Sequence, residues 1–186
     1  MTPTDKMMGS HLQALPGGAE TSTPNVVDFT QVRSASLLRK GLEAAAKGRV
    51  DEAIASFRQS VEAQPTAEAF TYWAWMTSFL GDLDGAIELC KTAIAVDPDF
   101  GNPYNDIGTY FMKKGELDTA IPWLELAKEA ARYEPKHFPY LNLGRIYLSR
   151  CDFAGALKEF KKALELDPTN GELQLVVSRI QERFAY

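Results

Sequence analysis

Four segments of the chain share one order of small, large and turn-forming residues, and this repetition constrains the fold more than any other feature. A glycine or alanine takes the eighth position of each segment, at Gly41, Ala74, Gly108 and Gly144. An alanine takes the twentieth position, and the intervals between these alanines are 33, 34 and 36 residues, at Ala53, Ala86, Ala120 and Ala156. Small residues at two fixed places allow paired helices to approach closely, while larger residues fill the space between them.

The segment from His137 to Pro168 shows the arrangement most completely. Its first half has one helical face with large and small residues at helical spacing, namely Tyr140, Leu143, Gly144 and Tyr147. Its second half has a similar face formed by Ala156, Phe160 and Ala163. Pro168 ends that helix, because proline lacks the amide donor and clashes with the preceding turn. This order resembles the tetratricopeptide repeat (TPR), whose period is about 34 residues.

Since all four segments are in register, the resemblance extends over residues 34–168. It implies an all-α fold, a right-handed TPR α-solenoid of four helix-turn-helix repeats followed by a C-terminal capping helix. The predicted repeats cover residues 34–66, 67–100, 101–136 and 137–168. Glycines at 48, 81 and 115 are expected to form the turns inside the first three repeats. The third repeat ends late, at Pro135, so we predict that its second helix is about one turn longer than usual.

The two ends of the chain differ from the repeats. Residues 1–33 are rich in Pro, Gly, Thr and Ser up to about residue 25, which predicts a flexible tail. Its apolar island, Val26 to Phe29, could alternatively dock in a neighbour's groove. Residues 169–186 predict a last helix, with one apolar face formed by Leu173, Val176, Val177, Ile180 and Phe184. Such a helix would cap the array, and a dimer contact is the alternative.

Charge and composition narrow the class of protein. The net charge is −5, which argues against a nucleic-acid-binding protein, because such a protein needs a basic face to displace counterions from phosphates. No apolar run approaches the roughly 20 residues that span a bilayer, so no direct membrane insertion is expected. The sequence shows no secretory signal. Two distant cysteines do not indicate a disulfide framework, and a cytoplasmic location is the simplest expectation.

Residues that could carry catalysis or bind a metal are scarce. The two histidines are His11, in the predicted tail, and His137, at a repeat boundary, and neither has a partner at metal-ligand spacing. Cys90 takes a predicted core position, and Cys151 lies in a turn where glycine is usual. No glycine-rich loop with phosphate-binding spacing is present. We therefore expect no enzymatic activity, no metal and no cofactor.

The resemblance places function in a concave groove lined by the first helices of the repeats. The positions that face this groove in the family carry the candidate partner-binding residues, Arg39, Tyr72, Trp75, Asn105, Asp106, Thr109, Asn142 and Arg145. An asparagine amide both donates and accepts hydrogen bonds, which suits an extended peptide backbone. Tyr72 and Trp75 suit an apolar anchor, although Trp75 could instead pack between helices. The residues that a TPR carboxylate clamp requires are absent, which argues against a co-chaperone of that kind.

The sequence thus favours a non-catalytic adaptor or scaffold that binds a protein or peptide partner in its groove. Two alternatives stay open. One is a structural protein that assembles as a homo-oligomer through the ends of the solenoid or through the island at Val26 to Phe29. The other is a cytoplasmic chaperone for secreted substrates, which would bind extended but not folded clients.

Overall fold

A computed structural model describes residues 29–184, which form nine α-helices and no β-strand. The helices are α1 (Phe29–Ala46), α2 (Val50–Ala63), α3 (Ala67–Phe79), α4 (Leu83–Val96), α5 (Asn102–Lys114), α6 (Leu117–Glu129), α7 (His137–Ser149), α8 (Phe153–Leu166) and α9 (Gly171–Phe184). The all-α prediction is confirmed. Among the described helices, none is long and apolar enough to cross a membrane.

The chain divides into two compact units, Met1–Pro98 and Asp99–Tyr186. Unit 1 contains α1 to α4, and unit 2 contains α5 to α9. Each unit has its own apolar core, centred in unit 1 on Phe57 and Trp75 and in unit 2 on Leu143 and Phe160. The repeat pattern predicted four successive helix pairs but did not predict this division.

Small residues bring the two helices of a repeat together as the sequence predicted. All four alanines at the twentieth position are 0% exposed. A β-carbon built on Gly108 would lie 2.6 Å from Cδ2 of Leu124. A β-carbon on Gly144 would collide in the same way with the ring of Phe160. The helices therefore pack at a distance that only the smallest side chains permit.

The turn inside each repeat passes through a left-handed backbone conformation. The φ angles are 70° at Gly48, 84° at Gly81, 79° at Gly115 and 59° at Cys151. Glycine adopts this conformation without a steric penalty, whereas a residue with a β-carbon does not. Cys151 thus occupies a position whose backbone favours glycine, as its place in the sequence suggested.

The prediction that the second helix of the third repeat is about one turn longer than usual is wrong. Helix α6 ends at Glu129, because the backbone of Ala130 is extended, and residues 130–136 form a loop. Arg132 accepts a hydrogen bond from the amide of Gly101 at 2.8 Å and donates its own amide to Asp99 at 2.9 Å. The additional residues satisfy their backbone groups by pairing with the segment before α5 rather than by lengthening the helix.

Both ends of the described region refine the predicted boundaries. Helix α1 begins at Phe29, within the stretch expected to be a tail, while residues 1–28, with His11 and most of the Val26 to Phe29 island, lie outside the described residues. At the other end, α9 buries Leu173, Val177 and Ile180 against α8. The side chain of Phe184 lies outside the described residues.

Candidate functional site

The eight candidate binding residues fall into both units. Arg39 lies on α1, and Tyr72 and Trp75 lie on α3, all in unit 1. The other candidates lie on two first helices of unit 2, which are α5 for Asn105, Asp106 and Thr109 and α7 for Asn142 and Arg145.

In unit 1 the two aromatic candidates belong to the core. Tyr72 is 8% exposed and stacks on Phe57 with ring centroids 5.7 Å apart. Trp75 is 2% exposed and meets the edge of Phe79 at 5.5 Å. Arg39 is exposed on α1. The alternative interpretation of Trp75, packing between helices, is therefore the one this structure favours, and the expected aromatic anchor is not accessible.

In unit 2 the candidates are joined by hydrogen bonds centred on Asn142. Its Nδ2 donates to Asn105 Oδ1 at 3.0 Å and to Thr109 Oγ1 at 3.3 Å. Its Oδ1 accepts from the guanidinium of Arg145 at 3.5 Å. Asn142 and Thr109 are buried, Asn105 is half-buried and Arg145 is exposed. We call these four residues the amide surface.

The amide surface also fixes the register of α5 and α7. Asn142 lies between Asn105 and Thr109, which are one turn apart on α5. The next turn of α7 carries Arg145, and the next turn of α5 carries Lys113. Each helix thus carries one exposed cation one turn after its hydrogen-bonded residues. Within each helix the spacing of three to four residues keeps these side chains on one face.

Burial shapes the electrostatics around the amide surface. Lys113 and Arg145 both reach solvent, but the surrounding protein partly desolvates their charged groups. This desolvation lowers the pKa of Lys113 against the opposing effect of the Asp106 carboxylate, and it lowers the pKa of Arg145 against the opposing effect of Glu172. The Arg145 guanidinium nevertheless stays charged at neutral pH, because its pKa begins far above that range. Asp106 is buried beneath this face, so the exposed charges on α5 and α7 are cationic.

The loop of residues 130–136 bonds to the start of α5 and the segment before it, and the sequence did not predict its position. Tyr133 is 5% exposed, and burial together with the charges of Asp106 and Glu134 raises its pKa. Asn102 donates from Nδ2 to the carbonyl oxygen of Glu134 at 3.4 Å. The 36-residue interval and the displaced Pro135 were the sequence signals of this insertion, but neither indicates where the loop lies.

Other polar clusters in unit 2 have structural roles. Lys128 pairs with Glu125 at 2.8 Å and with the buried Glu159 at 3.3 Å, and its ammonium lies 4.8 Å from the centre of the Tyr140 ring. These contacts connect α6, α7 and α8. The adjacent cavity holds only about 60 Å³, far below the roughly 300 Å³ at which ligand pockets begin.

Metal-ligand clusters of three or more His, Cys, Asp or Glu residues are absent from the described part of the chain. His137 Nε2 lies 3.9 Å from Asp167 Oδ2. Burial lowers the pKa of His137, and the charges of Asp167 and Glu134 oppose that shift. Cys90 is buried and Cys151 is exposed. The described residues instead build the amide surface, which includes the guanidinium of Arg145 and is followed one turn later on α5 by the exposed Lys113.

Sequence comparison identifies the family. Profiles described as Tetratricopeptide repeat match residues 34–66, 79–135 and 138–170, which together cover more than half of the chain. The chain belongs to the TPR family. The human (Homo sapiens) Superkiller complex protein 3 is 38% identical over 76 residues, which are 40% of this chain and 5% of that protein. The chain thus matches a small part of the length of that relative.

Solved structures with a similar fold include pilF of Pseudomonas aeruginosa, with a TM-score of 0.76 and 21% identity over 83% of this chain and 70% of that one. PilW, described as a type IV pilus biogenesis factor, has a TM-score of 0.70 and 18% identity over 80% and 69% of the two chains. MamA has a TM-score of 0.63 and 26% identity over 75% and 81%. The likeness to pilF and PilW shows the fold alone. TPR folds are protein-interaction modules, which supports a protein-binding role.

Proposed function

We propose that unit 2 binds an extended segment of a partner protein across the amide surface, and that the protein acts as a non-catalytic adaptor or scaffold. The single observation that carries this proposal is the hydrogen-bond network of Asn142. That network holds two amides and a guanidinium in fixed positions on neighbouring helices. Preorganised polar groups bind a ligand at a lower entropic cost than mobile ones.

The network leaves hydrogen-bonding groups for a ligand. Within residues 29–184, no hydrogen bond is assigned to Nδ2 of Asn105, which is half-buried and has two N–H donors. The Arg145 guanidinium has five N–H donors and directs one nitrogen to Asn142. An extended peptide presents carbonyl oxygens at regular intervals, so these donors fit its backbone. A non-catalytic role is part of the proposal, since the residues gathered here are amides, a hydroxyl and cations.

The test uses short random peptides displayed on phage and selected against the full-length chain. The best peptide is then titrated calorimetrically against wild type and against Asn105→Ala/Asn142→Ala. The double variant loses the Asn105 donor and the bonds by which Asn142 holds Asn105 and Arg145 in position; at about 1 kcal/mol for each of these two effects, binding weakens about 30-fold. The control is Gln59→Ala, which removes an exposed amide from α2 in unit 1 and leaves binding unchanged.

Circular dichroism melts of each variant separate lost binding from lost folding. The double variant is expected to retain its helicity, because alanine has a higher helix propensity than asparagine and neither residue belongs to the apolar clusters of unit 2. Equal affinity of wild type and a folded double variant would contradict the proposal.

A cytoplasmic setting also belongs to this proposal. The chain has two cysteines, which lie far apart in the sequence and do not indicate a disulfide framework. Proteins without such a framework are typical of reducing compartments. Localisation of a fluorescently tagged chain tests the setting directly, and an extracytoplasmic signal would contradict it.

A further inference from the structure

The last helix carries a surface that a capping role does not require. Helix α9 buries Leu173, Val177 and Ile180 against α8, yet it exposes 61% of Leu175. A terminal helix that only capped the array would present a polar outer side. Val176, next to Leu175, is half-buried in the same cluster as Leu141 of α7.

Helix α9 has the register of the first helix of a further repeat. Leu175, Val176 and Arg179 each follow an α7 residue by one 34-residue period, and the α7 residues are Leu141, Asn142 and Arg145. On α7, Asn142 lies between two residues of the preceding first helix, α5. Val176 and Leu141 belong to one apolar cluster, and the influence of Glu172 on the pKa of Arg145 agrees with the proximity of α9 to α7.

The amide surface therefore continues onto α9, where the exposed Leu175 lies one turn before the exposed Arg179. The exposed cations on this continuous face are Lys113, Arg145, Arg179 and Arg183, whereas its acidic groups are the buried Asp106 and the exposed Glu172 and Glu182. This local cationic excess contrasts with the net charge of −5 of the whole chain. An anionic ligand group would be attracted to Arg145, and an aliphatic one would cover Leu175.

We propose, as a deepening of the peptide-binding function on which it rests, that the partner segment carries an acidic and an aliphatic side chain two positions apart. The acidic side chain pairs with Arg145, and the aliphatic one covers Leu175. Adjacent packed helices lie about 8–10 Å apart. In an extended peptide, alternate side chains point the same way and lie about 6.5–7 Å apart. The helix spacing exceeds the spacing of the two peptide side chains by a few ångströms at most, and the long side chain of Arg145 can reach across that difference.

Peptide selection tests this specificity with the full-length chain and three variants. On wild type, the enriched peptides are expected to share Asp or Glu two positions from Leu, Ile or Val. Selection on Arg145→Glu should replace the acidic preference with Lys or Arg and keep the aliphatic one. Selection on Leu175→Ser should lose the aliphatic preference and keep the acidic one. Lys161→Glu is the matched control, since it makes the same charge change on an exposed residue of α8.

Calorimetry with the best wild-type peptide makes the result quantitative. Its affinity is expected to fall about 10-fold or more for Arg145→Glu, to recover when the acidic residue of the peptide becomes lysine, and to stay unchanged for Lys161→Glu. Melting curves confirm folding, and the milder Arg145→Gln replaces any variant that unfolds.

Three results of these experiments would contradict different parts of the two proposals. Enriched peptides that lose affinity for Asn105→Ala/Asn142→Ala, but have no acidic preference that depends on Arg145, overturn this inference and leave the peptide-binding function intact. The absence of any enriched peptide on wild type overturns both. A preference that inverts with Arg145 but does not respond to Leu175→Ser overturns the role of α9.

Discussion

The turn at Cys151 gives the sharpest quantitative prediction for stability. The turns at Gly48, Gly115 and Cys151 share one hydrogen-bond pattern. The amide of the residue with positive φ donates to the carbonyl oxygen three residues earlier, and the amide of the following residue donates to the carbonyl oxygen five residues before itself. At Gly115 these distances are 3.0 and 2.9 Å, and at Cys151 they are again 3.0 and 2.9 Å. This is the Schellman arrangement, whose left-handed position is usually glycine. Cys151 is exposed, so its thiol adds little packing.

The expected gain from Cys151→Gly is the difference of two backbone effects. A residue with a β-carbon is disfavoured in the left-handed region by about 1–2 kcal/mol. Glycine offsets part of this gain, because its greater freedom in the unfolded chain costs about 0.5–1 kcal/mol. The net stabilisation is about 0.5–1 kcal/mol, which raises the Tm by roughly 1–4 °C for a chain of this size.

Thermal and guanidinium unfolding of Cys151→Gly and Cys151→Ala check this value. The alanine variant keeps the β-carbon and should stay within about 0.5 kcal/mol of wild type. Gly115→Ala is the reciprocal variant, and its added β-carbon meets nothing within 4 Å, so only the backbone effect remains. It should lose about 1 kcal/mol. A Cys151→Gly variant no more stable than Cys151→Ala would refute the assignment of strain to this turn.

Two further predictions concern packing and pH. Ala156→Leu should lose about 1–3 kcal/mol of unfolding free energy in urea by overpacking a site that is 0% exposed, whereas Ala154→Leu, on the exposed side of α8, should change little. Burial alone lowers the pKa of Lys128, but Glu125 and Glu159 more than offset it and raise that pKa. The stabilisation of the folded protein by the charged Lys128 is therefore complete below the ordinary lysine pKa of about 10.4, and it is lost as the pH rises through the higher pKa of Lys128 in the folded state. Lys128→Met should be less stable than wild type by about 3 kcal/mol at neutral pH, with a gap that narrows in strong alkali, and a constant gap would contradict the ion-pair explanation.

The repeat pattern predicted the local architecture well, because it depends on spacing along a helix. Residues three or four apart share a face, so the alanines at the twentieth position could be assigned to a close contact from the sequence alone. Their complete burial confirms that assignment. Turn positions follow the same logic, and the positive φ of Cys151 was indicated by its alignment with Gly48 and Gly115.

The path of the third repeat could not be predicted in the same way. The interval of 36 residues showed that residues had been added, but an added residue can lengthen a helix or enter a loop. The loop formed because Pro135 limits the helix and because the backbone of residues 99–101 offers partners to Arg132. Those partners are distant in sequence, and no local pattern indicates them.

The candidate site shows the same distinction. The family register alone selected Tyr72 and Trp75 as accessible anchors, but contacts with Phe57 and Phe79 place both rings in the core of unit 1. It also selected Asn105 and Asn142, which bond to each other although 37 residues separate them. Position on a first helix does not reveal whether a side chain is covered, since neighbouring elements decide its exposure.

By itself, the sequence determined the helix pairs, the small residues that let them touch and the family to which the chain belongs. Only the tertiary structure decided the division at Pro98 and Asp99, the pairing of the 130–136 loop with the start of α5 and the burial of the unit 1 aromatics. It also decided that Asn142 lies between Asn105 and Thr109. The physical reason is the separation along the sequence of the residues that make each contact. Helix geometry fixes contacts between residues a few positions apart, whereas the register of one helix against another depends on how their side chains interlock.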